Sequence, residues 1–233
     1  MLYNRLMDDI EPKGERIAKR MATAGVCSRR EAERWIEAGR VAVNGETLTT
    51  PAFLVTAADV VTVDGLPIGG QQAARLFLYH KPRGQLCTER DPQGRPTIFA
   101  ALPPTLPRVV SVGRLDYDSE GLLLLTTDGQ LAQDLMRGND EREYEVTTKL
   151  PLTEGRLNTL RKGITVDGEH FAPMTVTALG NNTYQFILTE GKNREIRRAV
   201  DAIGGKVLRL KRLRYGAYVL GDLGVGGVVE VAA

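Results

Sequence analysis

Cysteine and histidine are almost missing from this chain: two of each in 233 residues, alongside a single tryptophan. Cys27 and Cys87 have no Cys-x-x-Cys neighbour, and His80 and His170 have no cysteine or acid at ligand spacing. A structural zinc site and a disulfide framework are therefore not expected, and both thiols should be free in a reducing compartment. No apolar run reaches the roughly 20 residues that a membrane-spanning helix needs. The opening Met1-Leu2-Tyr3-Asn4-Arg5 leads into no apolar core, so the expectation is a cytoplasmic protein without an export signal. Gly221, Gly224, Gly226 and Gly227 form a glycine cluster with no strand-turn-helix around it, so neither a phosphate loop nor a dinucleotide fingerprint is read there. No nucleophile elbow stands out either. Neither a metal nor an organic cofactor is expected.

Charge of one sign is not in excess, with 31 basic against 29 acidic residues, but it is unevenly spread. Lys13 to Arg40 holds eight basic and four acidic residues, and Lys192 to Arg214 holds nine and two. One such window alone is commonly a solvated helix face. Two on a nearly neutral chain imply a polyanion touched at two places.

The stretch Gly113-Arg114-Leu115-Asp116-Tyr117-Asp118-Ser119-Glu120-Gly121 puts three carboxylates at alternate positions between two glycines. It runs into the aliphatic Leu122 to Leu125 and ends at Asp128-Gly129. A short apolar run bounded by turn signals reads as a buried strand, so the acids lie on a loop entering the core of a sheet. A loop aspartate ahead of a strand is often a turn former or cap, and Asp118 and Glu120 are read as solvated loop acids of that kind. For Asp116 the local pattern leaves both readings open, a turn former or a working carboxylate.

In chain order, residues 1–13 read as a loose tail. Ile17, Ala18, Met21 and Ala22 recur at helical spacing up to Gly25, and Ser28 with Glu31 forms a capping box opening a second helix that buries Ala32, Trp35 and Ile36. Short strands around Asn44-Gly45 and Asp64-Gly65 turns follow, giving a basic module over residues 14–68. A polar linker over 69–74 precedes a larger domain over 75–233. There, many hairpin-joined strands and few helices imply a mixed, mainly antiparallel sheet, so the fold class is α+β. The helices are expected at Leu131–Met136, at Leu152–Lys162, and in the block Glu190 to Arg198, helical onward to Ile203. Asn181-Asn182 is expected to turn a hairpin.

Gly113-Arg114-Leu115-Asp116, the glycine Gly121 and the aliphatic run together resemble the catalytic motif of the pseudouridine synthases. The strand ending at His80-Lys81-Pro82-Arg83-Gly84 and the block Glu190-Gly191-Lys192-Asn193-Arg194-Glu195-Ile196-Arg197-Arg198 extend that likeness. Gly25 to Ala32 and Gly39 to Gly45 resemble the small RNA-binding domain shared with ribosomal protein S-four. The resemblance implies isomerisation of a uridine in RNA, with Asp116 as nucleophile, Tyr144 stacking on the base and assisting proton transfer, and Arg197 pairing with Asp116. It also implies RNA contacts from Arg29, Arg30, Arg34, Arg40, Arg114, Lys192, Arg194 and Arg198, with Arg198 left for phosphate or solvent. Arg114 could occupy the space that a flipped base vacates.

The pairing of the two domains points to ribosomal RNA, and Asn193 to Arg198 with Arg212-Leu213-Arg214-Tyr215-Gly216 looks more like the large-subunit enzymes than the small-subunit one. A monomer acting without a membrane is expected. A small-subunit enzyme, a catalytically idle RNA-binding protein and a glycosidase using two of the three loop acids remain alternatives. For the glycosidase, positions i and i+2 on one short loop control carboxylate separation poorly.

Overall fold

A computed structural model describes residues 14–70 and 73–232. The expected loose tail lies outside them, as do Gln71 and Gln72 of the expected linker. The described residues divide into two compact units between Ala73 and Ala74, with Pro107–Val109 grouped with the first.

In the first unit, β1 (Glu15–Arg16) leads into α1 (Ile17–Thr23), which buries Ile17, Ala18 and Met21. α2 (Arg29–Glu37) begins where Ser28 Oγ accepts the Glu31 N–H at 3.2 Å, the expected cap, and buries Ala32 and Ile36. The strands β2 (Val41–Val43), β3 (Glu46–Thr47), β4 (Leu54–Val55), β5 (Val61–Val63) and β6 (Leu66–Pro67) complete it. β1 pairs with β4, and the others form a sheet in the order β3-β2-β5-β6. Asn44-Gly45 and Asp64-Gly65 all take positive φ, the left-handed pairs that tight hairpins require. One apolar cluster, from Ile17 and Met21 through Ile36 to Val61, forms the core.

The second unit contains β7 (Leu76–Lys81), α3 (Ile98–Ala101), β8 (Val110–Ser111), β9 (Glu120–Thr126), α4 (Gly129–Arg137), β10 (Arg142–Thr148) and α5 (Glu154–Arg161). It continues with β11 (Ile164–Val166), β12 (Glu169–Phe171), β13 (Thr175–Gly180), β14 (Thr183–Leu188), α6 (Glu195–Ala202), β15 (Val207–Tyr215), β16 (Tyr218–Val219) and β17 (Val228–Val231). Among the described residues nine strands form one sheet, ordered β13-β14-β10-β15-β9-β7-β17, with β8 beside β9 and β16 beside β15. The β15–β9 pairing is parallel and the others in this sheet are antiparallel.

β9 is central, and Leu122 to Leu125 are all fully buried. Such a run loses alternation because both faces of the strand are covered. Leu122 and Leu124 join a cluster with Leu76, Val112 and Tyr215. A second cluster joins Val146, Phe171 and Phe186 to Ile196, Ala199 and Val200 of α6. Among the described residues no helix is long and apolar enough to cross a membrane.

Local departures from the sequence reading are informative. Asp128-Gly129 is a helix start, because Asp128 Oδ1 accepts the N–H groups of Gln130 and Leu131 at 2.6 and 3.2 Å. Those first-turn donors have no partner inside the helix. Glu120 belongs to β9 and pairs with Arg209 at 2.6 Å, with its side chain only 13% exposed, so it is not a solvated loop acid.

Candidate active site

The loop ahead of β9 is fastened from inside the protein by Lys81, the last residue of β7. Lys81 is fully buried, and its ammonium donates to the carbonyls of Pro82, Asp116 and Ser119 at 3.0, 3.1 and 2.8 Å. An ammonium has three N–H bonds, and all three are used on backbone. Burial lowers its pKa, while Cys87 and the acids Asp116, Asp118 and Glu120 act to raise it. Cys87 Sγ lies 3.4 Å from both the N–H and the carbonyl of Leu115, steadying the residue before Asp116. The Ser119 N–H closes the turn on the Asp116 carbonyl at 3.1 Å. With its backbone fixed, Asp116 keeps a side chain 27% exposed.

A cavity of about 330 Å³ opens in front of this carboxylate, lined among others by Asp116, Tyr144, Arg142, Arg194, Glu195 and Arg212. Tyr144 stands on β10, half-buried against the apolar cluster below α6 and in register with Phe186 and Arg212 on its two neighbouring strands. Arg142 is buried and donates to the Thr189 carbonyl at 2.9 Å and to the Tyr215 hydroxyl at 3.0 Å. Arg212 is buried and donates from Nε to the Leu122 carbonyl at 2.7 Å.

The charge pairing differs from the expected Arg197–Asp116 fork. Arg197, buried on the first turns of α6, donates from Nη2 to the Asp118 carbonyl at 3.0 Å and Ser119 Oγ at 3.4 Å. Its Nε lies 3.3 Å from Asp118 Oδ2, close enough for an ion pair but not aligned as a hydrogen bond. Arg194 precedes the helix in the left-handed conformation, at φ 49°. Its Nη1 reaches Asp118 at 3.1 Å and Asp116 Oδ2 at 3.7 Å.

Asp118 is therefore the hub that both arginines share, rather than a solvated loop acid. Burial opposes its ionisation, but the hydrogen bond from Arg194 and the charges of Arg197 and Arg194 prevail and lower its pKa. Arg197 makes no ion pair with Asp116 among the described residues. It sits one carboxylate away because its side chain rises beneath Asp118 and Ser119, leaving the approach to Asp116 to Arg194.

Several expected RNA contacts are engaged within the protein. Arg198 pairs with Glu169 and, at 3.6 Å, with Asp167, its guanidinium 4.9 Å from the Phe171 ring centre, so it is not left to solvent. Lys192 pairs with Glu190 at 2.7 Å. Arg40 pairs with Asp64 and lies 4.7 Å over Trp35. Arg29, Arg30 and Arg34 are exposed on α2, and Arg114 is exposed at the cavity mouth.

Sequence reasoning passed over Lys81, Arg142, Glu195 and Arg212 as site residues; a charge embedded in an otherwise buried strand was the available signal for Lys81. Glu195 opens α6, is 5% exposed, and accepts the Lys192 N–H at 2.9 Å on Oε2. Its Oε1 has no hydrogen-bond partner among the described residues, and burial together with the neighbouring Glu190 carboxyl pushes its pKa up to about 7 from the ordinary 4.5.

A group with a raised folded-state pKa takes up protons on folding, so its contribution is full below pH 4.5 and is lost as pH rises towards 7. Glu195→Gln keeps an acceptor for Lys192 and gives Glu190 a permanent donor. Urea unfolding should show the variant gaining stability relative to the parent between pH 5 and pH 8. An unchanged difference would place Glu195 in a solvated setting.

The site holds a carboxylate on a fixed backbone, flanked by cations, against a cavity lined by Tyr144 and Tyr215. That is what breaking a glycosidic bond and handling its base require. Comparison with known proteins bears on which reaction this is. The RNA pseudouridylate synthase model matches residues 75–202 and the S4 domain model residues 15–61, and the chain belongs to the RNA pseudouridylate synthase family. A protein of Rickettsia felis named as an RNA pseudouridine synthase is 39% identical over 93% of this chain and 96% of its own length. Ribosomal large subunit pseudouridine synthase B of Salmonella typhi is 43% identical, over 87% of this chain and 74% of its own. A crystal structure of a pseudouridylate synthase superposes with a TM-score of 0.67 at 27% identity, covering 93% of this chain and 96% of that one.

Proposed function

We propose that this protein converts a uridine of large-subunit ribosomal RNA to pseudouridine, with Asp116 as the nucleophile. The observation that carries this reading is that Asp116 and Tyr144 line one cavity while Lys81 fixes the Asp116 backbone from behind. Asp116 attacks the sugar carbon C1′ and the bond to uracil N1 breaks, its electron pair leaving with the base. The uracil turns within the cavity and C5 bonds to C1′, releasing the carboxylate. The proton on C5 is then lost and N1 gains one, so composition and oxidation level are unchanged. Tyr144 stacks on the uracil and assists the proton transfer. Arg194 and Arg197 flank the two carboxylates, Arg194 beside both and Arg197 beside Asp118.

Residues 14–68 form the RNA-binding domain, with Arg29, Arg30 and Arg34 on phosphates, and residues 75–233 the catalytic domain. The protein works as a monomer in the cytoplasm. The likeness to large-subunit synthases supports the choice of RNA. Tritium release from uridine labelled at carbon five tests it: purified protein should release tritium from large-subunit but not small-subunit ribosomal RNA. Release from the small-subunit RNA alone would overturn the choice of substrate, and no release from either RNA or from assembling subunits would overturn the activity.

A further inference from the structure

A second cavity, of about 900 Å³, adjoins the one in front of Asp116 and shares Arg114, Asp116, Lys192 and Arg194 with it. Tyr117 lines only this second cavity. It follows Asp116 directly and is 44% exposed. Its backbone is fixed, with the Gly84 N–H donating to the Tyr117 carbonyl at 2.7 Å. Its hydroxyl has no hydrogen-bond partner among the described residues. A tyrosine exposed in this way gives the fold neither a buried ring nor a buried hydrogen bond.

Another part of the lining comes from the turn Asp91–Arg95. Asp91 Oδ2 accepts the N–H groups of Gln93 and Arg95 at 3.2 and 3.0 Å, and Arg95 Nε adds a bond at 3.1 Å, so this wall is tied together internally. Arg90 and Arg114, which also line the cavity, form no ion pair among the described residues. An open aromatic face, a fixed wall and two uncommitted guanidiniums suit a nucleotide: a base to stack, a phosphate to neutralise.

We infer that this cavity is a subsite for the nucleotide next to the reacting uridine, with its base stacked on Tyr117 and its phosphate between Arg90 and Arg114. The inference rests on the reading of Asp116 as the reacting carboxylate. A base turned out of its stack leaves a neighbour with one exposed face, and the residue beside Asp116 is placed to cover it. Tyr117 is thus a residue that reads flanking RNA structure, without touching the reacting atoms. Stacking accepts any base, so the subsite requires an unpaired neighbour and not one sequence.

The test crosses Tyr117 variants with abasic substitutions in a ribosomal RNA fragment that the full-length protein modifies. Tyr117→Ala should raise KM roughly tenfold, with a much smaller change in kcat, and Tyr117→Phe should recover most of the loss because the hydroxyl has no partner. Tyr117→Leu separates stacking from space filling and should resemble Ala. An abasic site at one position adjoining the target should weaken binding to the parent by a similar factor and add almost nothing to Tyr117→Ala. Independent, multiplying losses at every flanking position would overturn the inference, as would Ala and parent KM values that agree. A parent protein that forms no pseudouridine overturns the functional reading, and this subsite with it. Turnover with intact KM in Tyr117→Ala overturns the subsite alone.

Discussion

Replacing Asp116 by asparagine should remove pseudouridine formation while leaving the folded protein and its RNA affinity in place. The backbone of this residue is held by Lys81 and by the Ser119 N–H, neither of which depends on the side chain. The carboxylate itself has one ion pair among the described residues, Arg194 at 3.7 Å, while that arginine's closer partner is Asp118 at 3.1 Å. An amide of the same shape therefore costs the loop little. It cannot attack C1′, because its nitrogen lone pair is delocalised and its oxygen is uncharged. Tritium release should fall by roughly ten-thousand-fold, the scale on which removing a nucleophile acts. Kd for ribosomal RNA should change by no more than a few-fold. More than about one per cent residual turnover would assign the chemistry to another group, with Asp118 the next to examine.

Gly121→Ala should abolish the native sheet around the site. Gly121 lies in β9 at φ +106°, opposite Arg212 in the parallel β15 pairing. A Cβ there would fall 2.2 Å from the Arg212 carbonyl oxygen and 2.6 Å from its nitrogen. Both obstacles are backbone, so no rotamer relieves the contact, and the positive φ adds strain for any L side chain. The two central strands must separate, which uncouples the Asp116 loop from Arg212 and from the Tyr144 strand beyond it. A loss of several kcal/mol is expected, on the order of half the stability of an ordinary domain. Circular dichroism melting should show failure to fold or a midpoint lowered by at least about 10 °C. A melting curve matching the parent would mean that β9 and β15 are not in this contact.

Much of the architecture was written in local pattern. Ser28 with Glu31 starts α2, Asn44-Gly45 and Asp64-Gly65 turn hairpins, and the unbroken Leu122 to Leu125 run makes a buried central strand. Each is a preference of neighbouring residues that tertiary contacts did not need to override. Asp128-Gly129 was ambiguous, because an aspartate before glycine serves equally as a turn and as a cap. The apolar spacing of the following helix decides between them only once α4 is packed against β9.

By itself the sequence determined the two-part α+β organisation, the family and the loop that carries Asp116, since these rest on contiguous motifs and periodicity. Which cation meets which carboxylate was decided by tertiary structure alone. Arg194 and Asp118 are 76 positions apart, and nothing local says how deep α6 sits beneath the loop. Residues three apart on a helix share a face, so Arg194 and Arg197 were both within reach of the acids. The left-handed residue Arg194 places its guanidinium on Asp118 at 3.1 Å with Asp116 beyond at 3.7 Å, while the buried Arg197 meets Asp118 and Ser119. The same holds for Lys81: its place at the end of a buried strand is legible, but the three carbonyls that make its burial tolerable come together only when the Asp116 loop closes over it.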